Sequence, residues 1–247
     1  MSKQRRLPKR ARNRIEKETD YLLNTKLGMK RVNPLTENQC KTFESYQQGK
    51  NLLLVGSAGS GKTFTALYLA LKDVMANNKY KQVIIVRSTV QSREQGHMPG
   101  DEKQKAAHFE APYVDIVNDL FERGDAYQIM KQKNMIKFMS TSFIRGLTFD
   151  NALIIVDEIQ NCNYGELRAI ASRLGQDSRI ILCGDTKQDD LIYSKNRADI
   201  SGLAQFKRVV DRMDSDCFDT IQFTVDDIVR SGFVKSFIVA EEELEIV

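Results

Sequence analysis

The segment from Gly56 to Thr63 reads GSAGSGKT and matches the phosphate-loop pattern GxxxxGK[ST] at every fixed position. Its glycines let the backbone turn its N–H groups inward around phosphate oxygens, and the following helix adds its positive N-terminal end. In this pattern Lys62 reaches the β- and γ-phosphates, and Thr63 holds Mg²⁺ through its hydroxyl. We therefore predict an ATP and Mg²⁺ site formed by Gly56, Ser57, Ala58, Gly59, Ser60, Gly61, Lys62 and Thr63.

Two acidic residues and a glutamine follow later apolar runs. Asp157 and Glu158 close the run in LIIVDEIQN, where the aspartate is placed to hold Mg²⁺ and the glutamate to deprotonate an attacking water. Asp185 and Gln188 lie in CGDTKQDDL, and Gln188 can hydrogen-bond a γ-phosphate or that water. Read alone, these segments are also typical of a solvated strand end and an ordinary polar loop. The phosphate loop favours the catalytic interpretation.

A glutamine ahead of the first apolar run is a candidate contact for adenine. NPLTENQ covers residues 33–39, and the amide of Gln39 carries both a donor and an acceptor for the adenine edge. Asn38 can contribute to the same contact. A helix N-cap at Thr36 explains the segment equally well, so both interpretations stay open at this point.

The elements that position these residues follow from an alternation of short apolar runs and longer helical stretches. Most of the apolar runs show no polar alternation, which is typical of strands buried on both faces of a parallel sheet. We predict strands over residues 51–55, 82–86, 135–139, 152–156, 179–183 and 220–224. We predict helices over residues 62–75, 111–121, 166–174 and 203–213, and an exposed loop over residues 92–105. The pattern indicates a three-layer α/β domain.

Charge is distributed unevenly, although the net charge is only +4. Basic residues crowd the first 14 positions, and glutamates crowd the last seven. A basic arm suits a nucleic-acid backbone, but a solvated tail is the commoner case and the interpretation that we favour. We predict a basic arm with one helix over residues 1–33, an ATPase domain over residues 34–240 and an acidic tail over residues 241–247. The candidate anchors of the arm helix are Ile15, Leu22 and Leu23.

Composition bounds the class of protein. No apolar run reaches the roughly 18 residues that span a membrane. The basic N-terminus lacks the apolar stretch of a signal peptide. The four cysteines lie far apart and only two histidines are present, which disfavours a zinc site and favours reduced thiols. We therefore expect a cytoplasmic protein.

Taken together, the motifs resemble those of the PhoH family of P-loop ATPases, which are similar to the first motor domain of superfamily-one helicases. They are NQ, GSAGSGKT, RSTVQSREQGHMPGD, FIRGLTF, IIVDEIQN, LCGDTKQDDL, SGL and DDIVRS. The resemblance covers roughly residues 34–237. It implies a RecA-like fold with a mostly parallel sheet, in which the strand of Asp185 lies between those of Lys62 and Asp157. The chain looks like the single-domain kind found in many tailed phages, for which the location is the host cytoplasm.

The sequence departs from the family pattern at two positions. Ile159 stands where the family's usual DEAQN has alanine, and Ser88 follows Arg87 where proline is usual. Ile159 is apolar and has little expected effect. Ser88 removes a backbone constraint from a loop that touches nucleic acid in helicases, which weakens the expectation of RNA contact. Arg145 in FIRGLTF can face nucleic acid, a neighbouring subunit or the nucleotide.

Arg230 lies in DDIVRS, which looks like the family's late arginine motif. A monomeric helicase closes its ATP site with arginines from a second motor domain, and only 23 residues follow the run TIQFT here. Arg230 then acts in its own chain or enters a neighbour's site, where a guanidinium suits the charge of a γ-phosphoryl group. We favour the neighbouring chain, which implies a homo-oligomer such as a hexameric ring. An ordinary surface arginine is the plain alternative.

These observations favour an ATP-hydrolysing, nucleic-acid-dependent ATPase or helicase-like motor that acts on single-stranded RNA or DNA. The alternative is a nucleotide-switched ring that acts on protein partners, favoured by the absence of tryptophan for base stacking. A small-molecule kinase fits less well, because the pair DEIQ and GDTKQ is typical of a motor ATPase.

Overall fold

The computed structural model describes residues 26–76, 79–88, 102–185, 202–214 and 216–244. Gln188 and the predicted anchors of the arm helix lie outside the described residues. The predicted limits of the arm, domain and tail stay a prediction.

Six strands of the described residues form one sheet in which every neighbouring pair is parallel. They are β1 (Asn51–Gly56), β2 (Gln82–Arg87), β3 (Ile136–Ser140), β4 (Ala152–Asp157), β5 (Arg179–Gly184) and β6 (Phe218–Phe223). The order across the sheet is β3-β2-β4-β5-β1-β6. All six predicted strands are confirmed. The position of β5 between β1 and β4, which the family resemblance implied, is confirmed as well.

The helices of the described residues surround this sheet. They are α1 (Glu37–Gln47), α2 (Lys62–Met75), α3 (Glu102–Leu120), α4 (Ala126–Gln132), α5 (Tyr164–Ala171), α6 (Leu203–Val210) and α7 (Gly232–Glu243). The predictions for α2, α5 and α6 agree with the structure to within three residues at each end. The side chain of Thr36 accepts the N–H of Gln39, so the N-cap interpretation of that segment is confirmed.

The predicted start of α3 is wrong. The helix begins at Glu102 rather than Ala111, so the last part of the predicted loop is helical, and Pro112 lies inside the helix. Residues 92–105 were assigned to a loop because they are polar and carry glycine and proline. Tyr113, Val117 and Leu120 are fully buried and hold the part of the helix after Pro112 against the domain core, and Phe109 is buried just before it.

The core lies on both faces of the sheet, as the apolar strands predicted. Residues of α2, α3 and α4 pack with Leu52 and Leu54 on one face. Residues of α5 and α6 pack with Leu53 and Val55 on the other. This arrangement gives the three layers of the predicted α/β class, and it places the carboxyl ends of β1, β4 and β5 side by side.

The segment before α1 also packs on the domain. Leu27, Met29 and Val32 contact the core cluster of α2, α3 and α4. The N–H of Lys30 donates to the carbonyl of Leu120 at 2.9 Å. Within the described residues, no helix is long and apolar enough to cross a bilayer.

Candidate nucleotide-binding site

The phosphate loop joins β1 to α2 at the carboxyl edge of the sheet, and its geometry depends on glycine. Gly56 has φ +132°, and a β-carbon there would lie 1.9 Å from the carbonyl oxygen of Phe223 on β6. Gly61 has φ +80° and is the N-cap of α2. Only glycine adopts these conformations without strain, so β1 can pair with β6 while the loop turns at once into the helix.

Lys62 is 9% exposed, and its ammonium lies within the loop. Its Nζ donates to the carbonyls of Gly56 and Ser57, both at 2.8 Å, and to Oγ of Ser60 at 3.3 Å. Burial lowers the pKa of Lys62, and the negative charge of Asp185 opposes this shift. The ammonium is thus held by loop oxygens that a phosphate oxygen can replace.

Thr63 and Asp157 meet at the first turn of α2. The hydroxyl of Thr63 donates to Oδ1 of Asp157 at 2.8 Å, and the hydroxyl of Tyr113 donates to Oδ2 at 2.9 Å. Burial raises the pKa of Asp157, while the donors Thr63 and Tyr113 lower it. The oxygen of Thr63 keeps lone pairs for a cation, and oxygen donors are the ligands that Mg²⁺ prefers. These residues therefore fit the Mg²⁺ that the sequence predicted.

Glu158 follows Asp157 in the left-handed region, with φ 53° and ψ 46°. Such a conformation costs a non-glycine residue about 1–2 kcal/mol and is common at functional sites. Burial raises the pKa of Glu158, and the charge of Asp157 raises it further. A carboxylate with a raised pKa is suited to accept a proton near neutral pH.

Gln160 positions this glutamate, although the sequence interpretation did not assign it a role. Its Nε2 donates to Oε2 of Glu158 at 2.5 Å, and its Oε1 accepts the N–H of Asp185 at 2.9 Å. The side chain is 2% exposed. Gln160 thereby connects the ends of β4 and β5. Its place in DEIQ, two residues after Glu158, was the available signal.

A cavity of about 620 Å³ opens over these residues. Its lining includes the predicted site residues Gln39, Ala58, Gly59, Gly61, Lys62, Thr63, Asp157, Glu158 and Arg230. Another part of the lining is apolar and comprises Val32, Leu35, Phe43, Phe64 and Ile116. Its volume is that of an ordinary small-molecule site, and its polar and apolar parts suit phosphates and a base, respectively.

Gln39 lies between the phosphate loop and the segment before α1. Its Nε2 donates to the carbonyl of Ser60 at 3.1 Å, and its Oε1 accepts the N–H of Leu35 at 2.8 Å. The amide keeps a second N–H and a second lone pair, so contact with adenine stays a prediction. In this structure Gln39 braces the loop.

Arg230 lies against the phosphate loop of its own chain. Its Cγ is only 2.9 Å from where a β-carbon on Gly59 would lie. The N–H of the preceding residue, Val229, donates to the carbonyl of Gly59 at 3.2 Å. The guanidinium-bearing side chain is exposed and lines the cavity with Lys62. The sequence interpretation favoured a neighbour's site, whereas this placement favours the chain's own site.

A second contact holds the segment that carries Arg230. The amide of Asn38 on α1 donates to Oδ2 of Asp227 at 2.7 Å. The N–H of Thr224 donates to the same oxygen at 2.9 Å. Asp227 is 3% exposed, so the segment is fixed to α1 by a buried carboxylate. We call residues 224–230 the C-terminal clamp.

The carboxyl ends of β2 and β3 lie on the far side of β4 from the phosphate loop. Arg87 ends β2, and its guanidinium lies 5.5 Å from the ring centre of Phe109 on α3. After β3, Phe143 is 59% exposed and Arg145 is exposed, whereas Ile144 between them is buried. The motif RSTVQSREQGHMPGD continues beyond Ser88 into residues outside the described ranges.

The domain is therefore of the RecA-like P-loop nucleotide-binding class. The features that define it are the phosphate loop with Lys62 and Thr63, and Asp157 on β4, which is separated from β1 by β5. The chain belongs to the PhoH-like protein family, whose family model matches residues 31–242.

Two curated relatives and one solved structure illustrate the similarity. A PhoH-like protein of Synechocystis sp. is 31% identical over 216 residues, which are 87% of this chain and 63% of the relative. A PhoH-like protein of Bacillus subtilis is 30% identical over 190 residues, 76% of this chain and 57% of the relative. The chain thus spans about three fifths of the length of these relatives. The large terminase of a thermophilic bacteriophage superposes with a TM-score of 0.46 at 11% identity, over 83% of this chain and 50% of that chain.

Proposed function

We propose that the protein binds ATP with Mg²⁺ in this cavity and hydrolyses it to ADP and phosphate. The observation that carries the proposal is the meeting of Lys62, Thr63, Asp157 and Glu158 at one end of the cavity. A binding module without hydrolysis would need the lysine and the threonine. It would have no use for a half-buried, strained glutamate beside the aspartate that is proposed to hold the metal.

Each residue of the site would have its own role in hydrolysis. When bound, Mg²⁺ would offset negative charge on the β- and γ-phosphates. Thr63 and Asp157 would hold it, and Lys62 would exchange bonds to loop oxygens for bonds to phosphate oxygens. Glu158, held by Gln160, would accept the proton of the attacking water. Gln188 stays a predicted contact of the γ-phosphate or of that water.

Arg230 would stabilise the γ-phosphate of the nucleotide bound to its own chain. Two observations support this role: the packing of its Cγ against Gly59, and the bond from Val229 to the loop carbonyl. A guanidinium presents several donors to a phosphoryl group whose charge is spread over its oxygens. A homo-oligomer, including a hexameric ring, stays a prediction, and this role does not require one.

A mixing experiment tests both ATP hydrolysis at this site and the action of Arg230 within its own chain. Lys62→Ala and Arg230→Ala each abolish or strongly reduce phosphate release, while Arg208→Ala, which alters an exposed arginine on α6, retains it. Refolding the two inactive variants together gives no recovery if each site is completed within one chain. Recovery to about a quarter of the wild-type rate would contradict the role of Arg230 within its chain. Full activity of Lys62→Ala would contradict ATP hydrolysis at this site.

We also propose that single-stranded nucleic acid, RNA in particular, stimulates this activity. Phe143 and Arg145 support the proposal, because an exposed ring stacks on bases of any sequence and an arginine contacts phosphates. Their turn is anchored by buried Ile144 and by the bond from the hydroxyl of Thr141 to Glu166 at 2.7 Å. Turnover measured against RNA concentration tests it. Stimulation that Phe143→Ala leaves unchanged would rule out this contact, and an unchanged wild-type rate would rule out stimulation.

A nucleotide-switched interaction module is the second candidate. One face of α7 carries an exposed apolar stripe in which Phe233 is 80% exposed, Phe237 54% and the following Leu244 68%. Such a stripe at helical spacing suits a protein–protein contact, and in a nucleotide-switched ring that acts on protein partners it would also suit the contact between copies of the chain. Sedimentation of wild type and Phe237→Ser, with ATP and without nucleotide, tests it. Self-association that needs ATP and Phe237 supports this candidate, and a monomer under all conditions excludes it.

A further inference from the structure

Tyr113 makes a contact with the metal-binding strand that the motifs do not include. It lies on α3, is 1% exposed, and its hydroxyl donates to Oδ2 of Asp157 at 2.9 Å. The ring of Phe138 on β3 lies 5.8 Å away, centre to centre. A buried phenol of this kind usually donates to whatever acceptor packing provides. Here the acceptor is the carboxylate predicted to bind Mg²⁺.

The two oxygens of Asp157 are divided between two donors. Thr63, from the phosphate loop, occupies Oδ1, and Tyr113, from the opposite side, occupies Oδ2. A carboxylate held at both oxygens cannot rotate about its Cβ–Cγ bond without breaking one bond. The hydroxyl of Tyr113 therefore fixes which oxygen faces the first turn of α2.

The helix that carries Tyr113 is held near the same strand end by a second contact. Phe109 lies one turn earlier on α3 and packs under the guanidinium of Arg87. Arg87 pairs in register with Asp157 across β2 and β4. Contacts one turn apart on the helix thus reach neighbouring residues of the sheet, which limits rotation of α3. The hydroxyl of Tyr113 is therefore presented from a fixed position.

We propose that Tyr113 is a positioning residue for the Mg²⁺ site, which holds Asp157 in the orientation that binds the metal. The inference rests on the proposed function, because it assumes that Asp157 holds Mg²⁺. It assigns Tyr113 no contact with the nucleotide or with the reacting atoms. Residues that orient a metal ligand through a hydrogen bond typically change metal affinity by 10- to 100-fold when they are altered.

The test is Tyr113→Phe, which removes the hydroxyl and keeps the ring. Tyr127→Phe is the matched control, because Tyr127 is also fully buried and its hydroxyl donates to a carboxylate, Glu110, at 2.6 Å outside the cavity. Electron paramagnetic resonance would measure the affinity for Mn²⁺ with ADP bound, and a fluorescent ADP would measure nucleotide affinity without metal. In Tyr113→Phe we expect Mn²⁺ affinity to fall about tenfold. Metal-free ADP affinity should stay within about twofold, and Tyr127→Phe should change neither.

Phe138→Leu tests the packing of the Tyr113 ring separately from its hydroxyl group. It weakens the surroundings of the Tyr113 ring but retains the bond to Asp157, so we expect a lower melting temperature and an unchanged Mn²⁺ affinity. Equal Mn²⁺ affinities in wild type and Tyr113→Phe would overturn the inference and leave the proposed function intact. Parallel loss of metal-free ADP binding would overturn it too, because that pattern indicates a general structural role. Wild-type protein that binds ADP but no Mn²⁺ beside it would overturn the proposed metal site itself.

Discussion

Among the residues that the structure describes, one basic side chain is buried at each end of the sheet, and the two differ in their hydrogen-bond partners. Lys62 lies at the carboxyl end and Arg179 at the amino end, and each residue is 9% exposed. Arg179 donates through Nη2 to the carbonyls of Tyr46 and Lys50, and its guanidinium lies 4.1 Å from the ring centre of Tyr46. Lys62 donates only to oxygens of its own loop among the contacts that the described residues show.

Lys62 and Arg179 differ in whether another group can replace their hydrogen-bond partners. The carbonyls that hold Arg179 belong to the end of α1 and the turn into β1, so losing them would mean unfolding that turn. Lys62 is bonded to a glycine-rich loop, and the charges of Asp185, Asp157 and Glu158 act on it without a direct bond. The two side chains are equally buried but differ in role. Arg179 has fixed partners and stabilises the fold, whereas Lys62 can exchange its partners for phosphate oxygens.

The largest expected effect is that of Lys62→Met on turnover. Removal of one charged donor from a transition state typically costs 100- to 1,000-fold, or about 3–4 kcal/mol of activation free energy. Stability should stay equal or rise, because the variant also removes a buried charge. Phosphate release and urea unfolding of the same preparation measure both. A variant that loses several kcal/mol of unfolding free energy would show that Lys62 is structural, like Arg179.

Gly56→Ala tests whether residues at the carboxyl end of the sheet, where the nucleotide site lies, also contribute to stability. Its β-carbon would overlap the carbonyl of Phe223 at 1.9 Å, and φ is +132°. We expect a loss of about 3 kcal/mol of unfolding free energy, from combined overpacking and backbone strain. Gly124→Ala is the control, because nothing lies within 4 Å of the β-carbon it would add. Equal stability of the two variants would mean that β6 moves aside at no cost.

Arg179→Met tests the structural end. The variant keeps an unbranched stem but removes the guanidinium from the carbonyls of Tyr46 and Lys50, of which the first keeps the N–H of Gly49. This loss should cost about 2 kcal/mol of unfolding free energy. Turnover per folded molecule should not change. Phosphate release at low temperature, normalised by nucleotide-binding stoichiometry, checks this. A lower normalised rate would show that the amino end of the sheet also influences the site.

Most of the fold could be predicted because most of its strands are nearly continuous apolar runs of strand length, a pattern typical of burial on both faces of a sheet. Three helices, α1, α4 and α7, were not predicted. The sequence of α1, ENQCKTFESYQ, has no clear apolar stripe, and α4 is only seven residues long. The start of α3 was mispredicted because the polar residues up to Lys105 are typical of a loop, and composition alone does not distinguish a loop from an exposed first part of a helix.

The site divides in the same way. Gly56 to Thr63, Asp157 and Glu158 could be predicted because each motif is contiguous and its chemistry requires those residue types. Tyr113 and Asp157 are 44 positions apart, and Asn38 and Asp227 are 189 apart. No local pattern connects such pairs. Their contacts exist only because the sheet brings α3 and the C-terminal clamp to the same strand ends.

The smallest expected effect concerns that clamp. Asn38→Ala removes the bond to Asp227 but touches neither the loop nor Arg230, so the clamp loses about 1 kcal/mol of support and turnover falls about fivefold. Gln47→Ala, which alters an exposed residue at the end of α1, is the control and should change nothing. If Asn38 acts by placing Arg230, Asn38→Ala should not lower turnover any further in a protein that already carries Arg230→Ala, because the effects of coupled residues are not additive. A further fivefold fall in the double variant would mean that α1 influences the phosphate loop through Gln39 instead, and that the clamp is only a structural support.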